Sequence, residues 1–213
     1  EYRQEIPDKL AQLPAIFIAY NAPALSDSLY YATNLLSSIL SAGESSRLYK
    51  KLIDETQESV SSSLDFIPME KAGILLFVGV SSSNKSISKL EKLFYEEVNK
   101  LLKEGISDEE LEKAKNIFEA EFVSSKKSTS SKARELASLQ SYYGEPELIN
   151  SELEKYMKVS KQDVLNAAKK YIESEQGSGE ATGGSDWKKY MHPKYQRRIF
   201  FPELWTEEEL ENW

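Results

Sequence analysis

Few residues in this sequence could carry out hydrolytic chemistry, and their types decide most of what the chain can do. A catalytic zinc ion needs about three His, Glu or Asp ligands and one open coordination position. The helical motifs that supply such ligands carry two histidines on one turn. The 213 residues include one histidine, His192, and no cysteine. The chain therefore cannot form a two-histidine zinc motif in either orientation, and we interpret His192 as a solvated or packed residue.

Two groups of neighbouring carboxylates are the next candidates, because paired acids can act as general acid and base. They are Glu109, Glu110 and Glu112, and then Glu207, Glu208 and Glu209. Both groups are more typical of the start of a solvated helix, where the helix dipole favours negative charge. The sequence has no Gly-x-Ser-x-Gly elbow, P-loop or dinucleotide-binding glycine motif. We therefore predict no catalytic residue and no metal ligand on this chain.

The bulk composition limits the partners. The formal net charge is −8 at pH 7, which argues against a nucleic-acid-binding protein because phosphate recognition needs clustered bases. No apolar stretch approaches the roughly 18 residues that cross a bilayer, so no membrane span is expected. The chain starts with Glu1 rather than Met and lacks the layout of a signal peptide, which predicts a fragment or a processed product. A chain without cysteine suits the periplasm and the cytosol equally.

The patterns before residue 82 predict one strand, two helices and a hairpin. The predicted elements are a strand over 13–23, a helix from Ser26 or Asp27 to Gly43, a helix opening at Ser45 or Ser46, and strands over 59–68 and 73–81. Serine and aspartate cap helices and glycine ends them. Leu48 and Leu52 lie on one face of the second helix. About five loop residues join the last two strands, which suits a hairpin.

After residue 85 the apolar residues repeat with helical spacing. Helices are predicted over 86–105, from Ser107 onwards, and over 130–143, 147–157 and 160–172. Ser107 and Glu110 form a capping-box pattern. The buried stripe of that helix is predicted to be Leu111, Ala114, Phe118 and Phe122. The order of elements predicts an α+β fold, with helices packed on one face of a mostly antiparallel sheet.

The sequence divides into three parts. Residues 1–176 carry the regular patterns, residues 177–185 are a Gly/Ser-rich linker or loop, and residues 186–213 are an aromatic-rich tail with all three tryptophans. Two interpretations of the tail stay open: an appended peptide behind an engineered joint, or a natural loop followed by a final strand over 197–201. A further hypothesis makes the tail a recognition peptide, since Trp, Tyr and Arg are typical anchors.

Four segments in this order resemble the second half of the M16 metallopeptidases, the pitrilysin, insulinase and mitochondrial-processing-peptidase family. The segments are PAIFIAYNAP (14–23), ILSAGESSRLYKKLIDE (39–55), GISDEELEKAKNIFEAEFV (105–123) and VSKQDVLNAAKKYI (159–172). The second is close to the family's Leu-x-x-Gly-x-x-Ser-Arg-Leu-Tyr run. Residues 142–164 are especially similar to homologues from Bacteroidetes-type bacteria. The resemblance covers residues 5–172.

The resemblance implies a fold in which two homologous α+β halves enclose a chamber and one half carries the zinc motif. It implies that this chain is the non-zinc half, with no cofactor of its own. The partner is then a zinc-bearing half, on the same precursor or on a separate subunit, and the zinc ion is expected there. The implied substrate is a peptide, and the implied source is bacterial, in the periplasm or the cytosol.

The resemblance also marks two substrate contacts that this sequence lacks. In several relatives the non-zinc half contributes an Arg and, seven residues later, a Tyr near the scissile bond. The corresponding positions are Ile53 and Val60, and isoleucine cannot hydrogen-bond a developing oxyanion. We interpret Arg47 and Tyr49 as structural residues rather than substrate contacts. The alternative function is a structural or binding domain of the same fold, without a role in peptide cleavage.

Overall fold

The computed structural model describes residues 12–173, and within them the elements follow the predicted α+β order. The strands are β1 (Ala15–Ala22), β2 (Ser59–Pro68) and β3 (Gly73–Ser81). The helices are α1 (Tyr30–Ser41), α2 (Ile87–Glu104), α3 (Asp108–Ser125), α4 (Thr129–Tyr143), α5 (Glu152–Lys158) and α6 (Lys161–Ala168). Tyr49–Glu55 and Lys169–Glu173 are π-helical, and Pro146–Asn150 is a 3₁₀ turn. The linker and the tail predicted over 177–213 lie outside the described residues.

The strands form one antiparallel sheet in the order β1-β3-β2. Phe77 of the central strand pairs with Ile18 on one side and with Leu64 on the other. The bounds predicted for β2 and β3 are confirmed, and so is the antiparallel sheet. The β2–β3 pairing contains a bulge between Ser59 and Ser61.

One face of the sheet is covered by helices and forms the core. Its apolar residues are Ile16, Ile18, Tyr20, Ala22, Leu64, Phe66, Leu75 and Phe77, all of which belong to the hydrophobic core or pack against it. The Phe77 ring stacks on Phe94 of α2 with centroids 4.1 Å apart. Gly79 allows α2 to lie close to the sheet, since a Cβ there would come within 3.1 Å of Leu90. Leu64, Leu75 and Phe77 on this face have almost no exposed surface.

The start predicted for the first helix is wrong. α1 begins at Tyr30, and not at Ser26 or Asp27. The Asp27 carboxylate accepts a hydrogen bond from the backbone N–H of Leu29 at 2.8 Å, and the Asp27 carbonyl accepts one from Tyr30 at 3.1 Å. Asp27 therefore stabilises a turn that precedes the helix instead of capping the helix itself.

The second helix opens at Arg47, directly after Ser46 as predicted, but the predicted cap by a serine side chain is wrong. The buried Ser46 hydroxyl donates to the Gly43 carbonyl at 2.7 Å, and the π-helical segment begins after Leu48 without a side-chain cap. The glycine has a φ of +75°, a conformation that favours glycine. Leu48 and Leu52 are fully buried, as predicted.

The capping box of α3 is confirmed. The backbone N–H of Glu110 donates to the Ser107 hydroxyl at 3.1 Å, and the backbone N–H of Ser107 donates to the Glu110 carboxylate at 2.9 Å. Half of the stripe predicted behind it is buried, namely Leu111 and Ala114. Phe118 is half-buried against the core, whereas Phe122 lies outside the core.

The helices after residue 128 differ in how firmly they are anchored. The helix predicted over 130–143 is α4, and none of its residues is buried. The helix predicted over 147–157 is a 3₁₀ turn and α5, which meet at Ser151. The helix predicted over 160–172 is α6 and the π-helical segment that follows, and both contribute buried residues. Within residues 12–173, no helix combines the length and the apolar character that crossing a membrane requires.

Candidate functional surfaces

Arg47 joins two segments that are distant in the sequence. Its Nε donates to Glu110 Oε1 at 2.6 Å, and its terminal nitrogen donates to Glu110 Oε2 and to the Gly105 carbonyl, each at 2.8 Å. Only 15% of the Arg47 side chain is exposed. This two-point ion pair fixes the start of α3 against the loop after α1.

The carboxylates at the start of α3 do not form an acid–base pair. Burial alone would raise the pKa of Glu110, but the hydrogen bonds from Arg47 and from the Ser107 backbone lower it to about 2. Glu109 and Glu112 are exposed. The Glu110 carboxylate is therefore held in its charged form as part of the fold.

The two positions that lack the relatives' Arg and Tyr lie in different environments. Ile53 is half-buried in the π-helical segment and packs against the core. Val60 lies at the bulge of β2, and 54% of it is exposed. Tyr49 is half-buried at the start of the π-helical segment.

The remaining sequence candidates lie outside the described residues. These are His192 and the second carboxylate group, Glu207, Glu208 and Glu209. Among residues 12–173, no group of three His, Cys, Asp or Glu side chains is arranged to hold a metal ion. The residues described here therefore do not fit a zinc ion.

Sequence reasoning missed a buried ion pair at Glu58. This side chain is 1% exposed, and its Oε1 accepts hydrogen bonds from Lys89 at 2.6 Å and Lys85 at 3.1 Å. The bond from Lys89, and then that from Lys85, holds the pKa of the Glu58 carboxyl below its usual range. The Glu58 backbone also bonds to Leu52 and Ser82, so this residue ties the π-helical segment to the loop before α2.

The second face of the sheet is open. Its residues are Ala15, Phe17, Ala19 and Asn21 of β1, Ser61, Ser63, Asp65 and Ile67 of β2, and Ile74, Leu76, Val78 and Val80 of β3. None of its apolar residues belongs to the described core or packs against it. Phe17 is 67% exposed and Ile67 is 44% exposed. An apolar strip along β3, with Phe17 and Ile67 beside it, is therefore left without a covering layer by residues 12–173.

A cleft of about 760 Å³ lies near the end of the sheet where β2 turns into β3. Tyr30 and Tyr31 at the start of α1 form one wall, with their rings edge to face and 5.0 Å apart. The Tyr143 hydroxyl, at the end of α4, donates to the Leu25 carbonyl at 3.0 Å. The Leu25 N–H donates in turn to the Met69 carbonyl at 3.0 Å. These bonds join the helix, the loop before α1 and the hairpin turn around one opening.

In the cleft, Glu152 has no ion pair among the described residues comparable to the one between Arg47 and Glu110. Burial raises the pKa of the Glu152 carboxyl, and the neighbouring Glu135 raises it further. Glu135 itself is paired with Lys126. Burial raises the pKa of Tyr31 to about 12, and the charge of Glu152 adds to this effect. Glu152 is thus a carboxylate whose surroundings oppose its ionisation.

Both surfaces had a signal in the sequence. The signal for the open face is the nearly continuous apolar run in two neighbouring strands, Ile16 to Tyr20 in β1 and Ile74 to Val80 in β3, since a strand with one solvated face normally alternates apolar and polar residues. The cleft takes its rings from two Tyr-Tyr pairs, at 30–31 and 142–143. Sequence alone does not indicate that two pairs so far apart meet.

Comparison with known proteins shows the family to which the sequence is similar. The model of the family described as the peptidase M16 inactive domain matches residues 1–118, which is more than half of the chain. A curated relative, the zinc protease PqqE of Helicobacter pylori, is 27% identical over 115 residues, which are 54% of this chain and 26% of the relative. The chain therefore spans about a quarter of the length of that protein.

Solved structures share the fold. A protease from Helicobacter pylori aligns with a TM-score of 0.71 and 22% identity, over 77% of this chain and 40% of that one. A peptidase M16 inactive domain from Pseudomonas fluorescens aligns with a TM-score of 0.63 and 19% identity, over 74% and 38%. The periplasmic protease PqqL from Escherichia coli aligns with a TM-score of 0.60 and 17% identity, over 75% and 17%.

Proposed function

The chain belongs to the family of peptidase M16 inactive domains, and from this membership we propose that it pairs with a zinc-bearing half to enclose and position peptide substrates. The described residues carry no metal-ligand group, so the chemistry belongs to the partner. A zinc ion held by that partner would supply Lewis-acid chemistry for the scissile carbonyl and for a water molecule. This chain contributes a wall that excludes water and limits access to the chamber.

The open face of the sheet is the observation that carries the proposal. An antiparallel sheet with one solvated face normally alternates apolar and polar residues, but here Ile74, Leu76, Val78 and Val80 line the uncovered side. Exposed Phe17 extends this apolar strip. Contiguous exposed apolar surface of this kind marks an interaction site. A second half that packs on this face would bury the strip and hold the two halves together.

A reconstitution assay tests the proposal. The chain, a zinc-bearing half encoded beside it, and their mixture are each given zinc and a quenched fluorescent peptide. We expect cleavage to require the mixture, because neither part alone forms the enclosed site. Turnover by this chain alone, or full turnover by the zinc-bearing half alone, would contradict the proposal.

Two matched variants locate the contact. Val78→Ser places a hydroxyl in the middle of the open face, while Val123→Ser makes the same change at an exposed position of α3 that is 53% accessible. We expect Val78→Ser to weaken association by about tenfold or more and Val123→Ser to leave it unchanged. Equal behaviour of the two variants would show that the open face is not the contact.

A structural role is the second candidate. Two observations favour it: the open face is apolar, and residues 12–173 contain no group of three side chains that could hold a metal ion. Binding of the open face to a neighbouring subunit, without any peptide cleavage by the complex, would support it. We further propose a bacterial source, in the periplasm or the cytosol, because the relatives with this fold named above are bacterial proteins and one is described as periplasmic.

A further inference from the structure

The cleft has the size and the walls of a binding site. Its volume of about 760 Å³ lies within the range typical of small-molecule and side-chain pockets. Tyr30, Tyr31, Tyr142 and Tyr143 line it from α1 and α4. Beneath them, the fully buried Tyr156 packs edge to face on Tyr31 at 4.8 Å and stacks on Phe118 at 3.5 Å. The α1 side of the cleft is therefore held by rings that are themselves held by the core.

The lining carries more negative than positive charge. Its carboxylates are Asp27, Glu70, Glu135 and Glu152, and its single cation is Lys155. Asp27 lies 3.5 Å from Lys170, and Glu135 is paired with Lys126, neither of which lines the cleft. Beyond the effect of burial, the Glu152 carboxyl interacts most closely with that of Glu135, through charge and a hydrogen bond that both raise its pKa, while the charges of Lys126 and Lys155 act in the opposite direction. The Lys155 ammonium lies 5.9 Å from the centre of the Tyr31 ring.

We propose that this cleft binds the basic side chain of a peptide, with Glu152 as the counter-ion of the lysine ammonium or arginine guanidinium. The tyrosine rings pack along the apolar stem and offer their faces to the cation. Burial, and then the neighbouring Glu135, oppose the ionisation of Glu152, and a cation bound beside these two carboxylates would favour the charged form. A neutral side chain of the same shape would gain only the stem contacts.

The chemistry of the cleft favours arginine over other basic groups. A planar guanidinium can bond a carboxylate with two nitrogens and stack on a tyrosine ring at the same time. Burial, and then the charge of Glu152, raises the pKa values of Tyr30, Tyr31 and Tyr143, so these rings add no negative charge of their own to the cleft. The inference does not depend on pairing with a zinc-bearing half, because all of these groups lie on this chain.

A titration of the full chain tests the proposal. The probes are acetyl-Gly-Arg-Gly-amide and its citrulline counterpart, which has the same shape without the charge, and binding is followed by amide chemical shifts at pH 8. We expect the arginine peptide to shift residues at the start of α1 and in α5, and to bind at least about fivefold more tightly than the citrulline peptide. Equal affinities, or shifts confined to other surfaces, would overturn the proposal.

Putrescine serves as a third probe, because free diamines share the alkylammonium chemistry without being peptides. We expect it to bind more weakly than the arginine peptide, since it lacks the backbone that would fill the rest of the cleft. Binding as tight as that of the peptide would overturn the assignment to a peptide side chain. The chain is titrated without a partner half, so failure here leaves the pairing proposal standing, and failure of pairing leaves this one standing.

Two substitutions complete the test. Glu152→Gln keeps the shape of the cleft and removes the negative charge proposed as the counter-ion, so we expect the arginine peptide to lose about fivefold in affinity and the citrulline peptide to lose nothing. Glu109→Gln, at an exposed carboxylate of α3, is the control and should change neither. Full retention of arginine binding in Glu152→Gln would overturn the role of that residue.

Discussion

Phe77 and Val78 are neighbours in β3, yet they point into opposite surroundings. Phe77 has no exposed surface and stacks on Phe94, whereas Val78 lies on the open face and pairs across the strand with the exposed Phe17. The covered face is completed by helices of the same chain. The open face is as apolar along its central strand but has no such layer among residues 12–173, and this difference is the ground for our proposal that a partner packs on it.

A similar contrast exists between two carboxylates, Glu110 and Glu152. Glu110 receives its counter-ion from Arg47, 63 residues away, and its pKa falls to about 2. Glu152 lies beside another carboxylate in the cleft, and its pKa is raised by burial and by that neighbour. The first charge is satisfied within the fold. The second is costly to the free protein, and a cost of this kind is typical of binding sites.

The largest expected effect separates the two faces of the sheet. Phe77→Ala should lower the free energy of unfolding by about 3 to 5 kcal/mol, because it leaves a cavity against Phe94. Val78→Ala on the open face should cost less than about 1 kcal/mol. Urea denaturation of the isolated chain measures both. Similar losses would mean that the open face is covered in solution.

The next effect concerns the ion pair at the start of α3. Arg47→Ala leaves the partly buried Glu110 carboxylate without its bidentate partner and should cost about 2 kcal/mol. Lys51→Ala removes an exposed helical pair, with Lys51 Nζ 3.5 Å from Glu55, and should cost only about 0.3 kcal/mol. Thermal melting of the two variants measures both losses in stability. If Arg47→Ala lowered the melting temperature no more than Lys51→Ala, the Arg47–Glu110 ion pair would not hold the start of α3 in place.

The pH dependence of stability should differ between the parent chain and Glu110→Gln. Because the folded pKa of Glu110 is lowered from 4.5 to about 2, its contribution is fully present above pH 4.5 and is lost as the pH falls towards 2. After allowance for solvent screening, this contribution is about 1 kcal/mol. Denaturation at a series of pH values should show a shallower fall in the variant across that window. Parallel curves would contradict the assignment.

The smallest expected effect is a gain in stability rather than a loss, and it concerns Glu152 in the cleft. The raised pKa of Glu152 means that its charged form costs stability above its unfolded value of 4.5, and that this cost disappears as the pH falls below that value. Glu152→Gln should therefore be more stable than the parent chain at pH 7, by less than about 1 kcal/mol. Glu109→Gln should show no gain. A loss of stability in Glu152→Gln would mean that the carboxylate is satisfied within the fold.

Local patterns predicted most of the fold, because they depend on neighbours in sequence. The bounds of β2 and β3 follow from two β-prone runs, one ending at Pro68 and the other beginning at Gly73, and the α3 cap follows from Ser107 and Glu110. The start of α1 was missed because Asp27 stabilises a turn instead. The partners of Arg47 and Glu58, and the meeting of two Tyr-Tyr pairs, depend on tertiary packing and have no local signature.

The lack of any buried residue in α4 bears on how quickly the cleft exchanges its occupant. A wall without side chains in the core can swing outward at a small fraction of the free energy of global unfolding. Entry then needs no disruption of the sheet, and the barrier to release is equally low. Residence times of an occupant would therefore be short.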